Sequence, residues 1–221
     1  MSQAKHTAQV TWRKALTIPA FSRALLITAI AGVIVAVALP HFFQWVQGRP
    51  GRLLWDPVLA LWKAHDVSNL TFTVLYGALL IVIISVARSP LRILHGLAAY
   101  VLMMLFRMLA MTLLTLEPPP GIIPLIDPFT QGFYPGATPF LKDLFFSGHT
   151  ATLTLMVFLA RKGPLRWLTA LCAAVIALLV LVQHVHWTVD VVAAVPATWL
   201  AWIVAGAILR RSGVPTSSEA A

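Results

Sequence analysis

Residues 166–190 read Arg-Trp-Leu-Thr-Ala-Leu-Cys-Ala-Ala-Val-Ile-Ala-Leu-Leu-Val-Leu-Val-Gln-His-Val-His-Trp-Thr-Val-Asp. No charge interrupts the stretch from Trp167 to Gln183, and it ends on two histidines and a carboxylate. An apolar run of this length is what a helix needs to cross a hydrocarbon core roughly 30 Å thick. Working outward, similar runs at about 21–43, 68–87, 92–116, 144–160 and 189–209 give six spans together with 166–185, the runs at 144–160 and 166–185 being the shorter. Apolar residues make up 59% of the 221-residue chain and charged residues 10%. Soluble domains lie closer to half and a quarter. The fold class expected is an all-α integral membrane protein, a six-transmembrane-helix bundle whose backbone groups are satisfied inside its helices. One catalytic domain at 21–210 is expected between a cytoplasmic tail at 1–20 and a disordered cytoplasmic tail at 211–221, without an internal repeat.

The formal net charge of +9 invites a nucleic-acid reading, but its distribution argues against one. Lys5, Arg13, Lys14, Arg23, Arg88, Arg92, Arg161, Lys162, Arg166, Arg210 and Arg211 all fall on one side of a six-span topology. The other side holds Arg49, Arg52, Lys63 and Lys142 together with Asp56, Asp66, Glu117, Asp127 and Asp143. The positive-inside rule then places both termini in the cytoplasm, so the basic excess is a topology signal. Ala36-Val37-Ala38 imitates a signal-peptide cleavage site, but the long lead and full-length span favour an uncleaved anchor. The single Cys172 has no intrachain partner and reads as a packing residue.

With this topology, Glu117, His149, His184, His186 and Asp190 come from four different spans and reach the same outer membrane face. His186 and Asp190 are four apart, which on a helix puts them on one face. An aspartate so placed fixes one imidazole tautomer and leaves the other ring nitrogen free to attack. His149 stands in Phe145-Phe146-Ser147-Gly148-His149-Thr150, where Gly148 lets backbone amides approach a phosphate and Ser147 and Thr150 offer hydroxyls. Two imidazoles and one carboxylate can cleave a phosphoester through a phosphohistidine without a metal. Arg107 lies within a span, where an arginine faces a partner or a polar cavity. It reads as a phosphate clamp or as an ion pair with Glu117 or Asp190.

Asp143 reads as a cap for the fourth helix or as an anion for a cationic head group. Glu117 opens a rigid Glu117-Pro118-Pro119-Pro120-Gly121 exit, and the loop 117–143 reads as a lid with Phe129, Phe133, Tyr134 and Phe140. His184-x-His186 hints at zinc, but no third and fourth ligand stand at a recognisable spacing, so neither metal nor cofactor is expected. His184 reads as a supporting or interfacial residue, and His41, His65 and His95 as interfacial. Trp45, Trp55, Trp62, Trp187 and Trp199 suit an aromatic belt.

Asp143-Leu-Phe-Phe-Ser-Gly-His149-Thr and His184-Val-His186-Trp-Thr-Val-Asp190-Val-Val resemble the paired motifs of the sphingomyelin synthase family, within the phosphatidic acid phosphatase type 2 superfamily. The likeness extends to Arg107-x-x-x-Met111-x-x-x-Thr115-Leu116-x-Pro118 and more loosely to residues 66–74, so it covers roughly residues 50–205. It implies that His186 is the nucleophile, Asp190 its activator and His149 the acid–base partner, with no cofactor. It also implies transfer of a phosphocholine or phosphoethanolamine head group from a glycerophospholipid to a lipid hydroxyl such as ceramide or diacylglycerol. Ser147, Gly148, Arg107, Asp143 and Glu117 complete the expected substrate site. The Lys-x6-Arg-Pro motif of the superfamily's monoester phosphatases is absent, and Val180 stands six residues before His186. One arginine suits a singly charged diester better than a monoester, which carries up to about two charges. Three readings stay open: a head-group phosphotransferase, a lipid phosphatase or phospholipase C-like hydrolase using the same residues, and a non-enzymatic membrane protein. The expected location is a bacterial inner membrane, with the site on the periplasmic side.

Overall fold

A computed structural model describes residues 10–125, 127 and 140–215. It contains α1 (Trp12–Leu16), α2 (Pro19–Gln47), a 3₁₀ turn (Leu59–Leu61), α3 (Ser68–Val86), α4 (Pro90–Leu113), α5 (Gly148–Leu159), α6 (Pro164–Val182) and α7 (Thr188–Arg211). Proline at the first helical position, where its missing N–H costs nothing, starts α2, α4 and α6. Gly163, at φ 126°, makes the turn into α6 in a region that a Cβ would strain.

Five of these helices, α2, α3, α4, α6 and α7, are long and apolar enough to cross a membrane. Their outer surfaces agree with such a setting. Ile27, Val33, Ile34 and Val37 of α2 are each more than 60% exposed, a face that water would penalise and lipid accepts. The fourth expected span differs. Instead of 144–160, the helix covers only Gly148–Leu159, twelve residues, or about 18 Å at ~1.5 Å per residue.

The reason is where α5 sits. It contacts α3, α4, α6 and α7, and Ala151, Leu153, Thr154, Leu155 and Met156 are all buried. A helix lined by protein on all sides need not match the thickness of lipid, and irregular backbone at its ends is tolerated because protein surrounds it. α2 lies outside, against α4, and α1 folds onto the α3–α4 turn, where the Trp12 indole donates to Ala87 O at 2.7 Å.

A second framework ties the loops at the histidine end. Arg52 N donates to Thr115 O at 2.9 Å and Glu117 N to Arg52 O at 3.0 Å, a short parallel bridge. Gly51 is required there, because a Cβ would meet Leu116 C at 2.6 Å. The Gln47 side-chain oxygen accepts from Leu141 N and Lys142 N, so the segment leading into α5 is fastened to the end of α2.

Candidate active site

Residues from two loop–helix junctions meet at this end. His149 is the second residue of α5, and His186 lies in the short connection from α6 to α7. Their ring centroids are 6.2 Å apart with the planes at 63°. The Phe72 ring of α3 stands 6.2 Å from His149, closing one side in an edge-to-face contact. His186 is buried.

His186 and Asp190 do meet, but not as two residues on one helix. His186 precedes α7, whose N-cap is Trp187, and Asp190 is the third helical residue. The carboxylate turns back over the cap: Asp190 Oδ2 accepts from Trp187 N at 3.1 Å and lies 3.3 Å from His186 Nδ1. The same fold that caps the helix therefore sets the ring. With Nδ1 donating to the carboxylate, Nε2 keeps its lone pair. Asp190 Oδ1 is buried without a partner among the described residues, as is Thr150 Oγ1. The backbone joins the two halves, since Ser147 N donates to Asp190 O at 3.0 Å.

Arg107 takes a partner that the sequence did not single out for it. Its Nη2 donates to Asp143 at 2.6 Å and its Nε to Phe146 O at 3.0 Å. The ion pair is thus with Asp143, one residue of the loop that delivers His149, rather than with Glu117 or Asp190. Nη1 has only the Met104 sulfur, at 4.0 Å. Asp143, for its part, does not cap α5. Ser147 is the N-cap, accepting from Thr150 N at 3.4 Å, because Asp143 sits too far ahead of the helix and its carboxylate is held by the guanidinium.

Gly148 is shaped by that arginine. A Cβ there would lie 2.8 Å from Arg107 Cζ and Nη1 and 3.0 Å from Nη2. Since α5 geometry suits alanine at this position, Gly148→Ala isolates the steric effect. It should displace the guanidinium, lower stability by about 1–3 kcal/mol as overpacking does, and move the loop under His149. Thermal unfolding in detergent reads this, and an unchanged midpoint would show that the close approach does not matter.

Glu117 sits at the rim. Its carboxylate accepts from Lys142 Nζ at 2.8 Å and Gly51 N at 2.7 Å, while its backbone oxygen accepts from the Trp187 indole at 2.9 Å. Lys142 holds its carboxyl below the ordinary value, burial opposes this, and the Gly51 amide adds to it. Trp187 is therefore a buried strut between two loops, not a member of an aromatic belt, whereas Trp45, Trp55 and Trp199 are exposed. His184 Nδ1 lies 3.2 Å from Pro120 O, so it braces the proline exit. Phe129, Phe133 and Tyr134 of the expected lid lie outside the described residues.

Two positioning residues carry no signal in the sequence. Asp56 accepts from Thr188 N at 2.7 Å and Thr188 Oγ1 at 3.1 Å, so a loop residue 132 positions away caps α7 next to Asp190. Burial raises its carboxyl, but donors from Thr188, Leu59 and Val58 outweigh it and hold it below the ordinary carboxylate range. This contribution is present above that range and is lost as pH falls through the lowered value. Gln183, fully buried, accepts from Val67 N and donates to Ser68 Oγ and Ile123 O, locking α3 and the 117–125 segment to the end of α6.

No curated protein matches the chain. A family model described as PAP2 superfamily C-terminal matches residues 142–207, the stretch from Lys142 through most of α7. Members of that superfamily are generally enzymes acting on phosphate esters. Covering Asp143, His149, His186 and Asp190 but not Arg107, the match supports membership of the PAP2 superfamily, with phosphatase- or phosphotransferase-type lipid chemistry.

Proposed function

We propose that the chain is a lipid head-group phosphotransferase related to the sphingomyelin synthases. The observation that carries this is the meeting of His149 and His186, 6.2 Å between ring centres, with a buried carboxylate on the far side of one of them. His186 Nε2 attacks the phosphorus of a phospholipid diester while His149 delivers a proton to the departing diacylglycerol oxygen, leaving a phosphohistidine that carries the head group. His149 then takes the proton from an incoming lipid hydroxyl, which reclaims the phosphoryl group. Asp190 orients His186 and balances the charge formed on its ring.

Arg107 has N–H groups on Nη1 left for one phosphate oxygen, and its own charge is already matched by Asp143. A nearly balanced site favours a monoanionic diester over a dianionic monoester. Asp143, partly exposed, is also placed to face a cationic choline or ethanolamine group, with Ser147, Gly148 and Glu117 completing the surroundings. In this reading α5 is the short fourth crossing, both termini are cytoplasmic, and the site opens to the outer leaflet.

The test is purified protein in detergent with phosphatidylcholine or phosphatidylethanolamine labelled in the head group, with and without ceramide or diacylglycerol. Label moving to the acceptor lipid supports the transferase. Release of soluble phospho-head group without acceptor dependence assigns the same residues to a hydrolase. No turnover of either donor under any condition overturns the proposal.

A further inference from the structure

The bundle holds a cavity with a basic lining at the end away from His149 and His186. About 410 Å³ of space lies between α4, the C-terminus of α5, the start of α6 and the end of α7. Its walls include Arg92, Arg166, Arg210, His95, Trp202 and Phe158. From His149 to Phe158 is nine residues of helix, so the cavity lies roughly 14 Å from the histidine site along α5. His95 is half-buried, stacked on Trp202 at 3.8 Å and 23°, with Nε2 2.9 Å from Trp202 O.

Part of this basic lining serves the fold. Arg92 Nη1 donates to Leu159 O at 3.3 Å and Arg166 Nη2 to Ala160 O at 2.9 Å, closing the open carbonyls of α5. The remainder is unused. Among the described residues, Arg166 Nε is buried without a partner, and the side chain of Arg210, exposed at the mouth, makes no hydrogen bond or ion pair. The ion pairs of the described residues, Arg107–Asp143, Lys142–Glu117 and His186–Asp190, all lie at the other end. Arg92, Arg166 and Arg210 thus line one space with no carboxylate among its described lining residues. Arg92 and Arg166 are half-buried where Arg88, Lys162 and Arg211 are exposed, and with the exposed Arg210 they line one cavity.

We propose that this cavity binds a phosphate group, presented by an anionic lipid whose head enters between Arg166 and Arg210 or as free phosphate. Forked donors match phosphate oxygens in pairs, and basic pockets between membrane helices are established seats for anionic head groups. The aromatic wall of Trp202 and Phe158, rings 6.0 Å apart, suits the glycerol and first methylenes of a lipid. The site is separate from His149 and His186 and does not depend on their assigned chemistry.

The experiment uses full-length His186→Ala protein, to prevent turnover, in nanodiscs of phosphatidylcholine alone or with a minor fraction of phosphatidic acid. Native mass spectrometry counts retained lipid, and a third arm adds inorganic phosphate to the phosphatidylcholine discs. Arg210→Gln and Arg210→Glu are the comparison, because the Arg210 side chain has no polar partner among the described residues whose loss would disturb folding. Retention of phosphatidic acid that falls about ten-fold or more in both variants, the scale of one lost charge-assisted hydrogen bond, is the expected result. If inorganic phosphate binds with the same Arg210 dependence, the source is free phosphate; if only the lipid does, it is the head group. Binding of both ligands unaffected by either substitution, or absent from the start, overturns the proposal.

Discussion

Head-group release from a labelled phospholipid should fall by at least about 10³-fold in His186→Ala, the scale expected when a nucleophile and its covalent route are lost together. The fold should survive, because the ring's polar contact among the described residues is the 3.3 Å approach to Asp190, whose other bond to Trp187 N remains. His149→Ala should behave differently. A lost general acid costs about 10²–10⁴-fold, and only where the leaving oxygen needs a proton. With an activated donor bearing a nitrophenolate leaving group, His149→Ala should recover much of its rate, and His186→Ala none. The burst of leaving group from each variant measures this directly. Equal rescue of both would show that neither ring attacks phosphorus, and undiminished turnover in both would remove the pair from the chemistry.

That contrast rests on a site only partly visible in the sequence. The long helices were legible because a lipid-facing helix must be apolar over most of its length. Expected spans at 68–87, 166–185 and 189–209 became Ser68–Val86, Pro164–Val182 and Thr188–Arg211. The central helix starts at Gly148 rather than at 144 because Leu144, Phe145 and Phe146 are apolar for another reason: they pack inside protein as irregular chain, with Leu144 and Phe146 buried. Hydropathy does not distinguish backbone buried in protein from helix buried in lipid.

The two histidines and Asp190 were legible as costly polar groups at span ends, and their convergence followed from topology. Their supports were not. Asp56 reaches Thr188, Gln183 reaches Val67, and Trp187 reaches Glu117 across long separations, between loop residues with no periodic pattern. Each reads locally as an ordinary turn or interfacial residue. The partner of Arg107 is not legible for the same reason: Asp143 and Glu117 are both acids near the outer rim, and only the path of the 141–147 segment decides between them.

Asp190→Asn should lower turnover by up to about 10⁴-fold, the drop seen when a carboxylate that orients a catalytic imidazole is replaced by its amide. The amide fits the space but faces a choice that the carboxylate does not. If its oxygen stays toward His186 Nδ1 and Trp187 N, the new NH₂ takes the place of Oδ1, which is buried with no partner among the described residues. An unsatisfied donor there costs about 1–3 kcal/mol. If the amide turns over, NH₂ faces Nδ1, drives the proton to Nε2 and removes the lone pair that must attack. Either way the negative charge beside the ring is gone. Asp190→Ala supplies the structural control: it loses the cap on Trp187 N, at about 0.5–2 kcal/mol, and leaves space behind the ring. A positioning role requires Asp190→Asn to lose far more activity than stability, with kcat falling and KM nearly constant. If the thermal midpoint collapses in both variants and residual activity tracks the folded fraction, Asp190 is a helix cap alone. If Asp190→Asn turns over within a few-fold of wild type, His186 needs no carboxylate behind it and the attacking ring must be sought elsewhere.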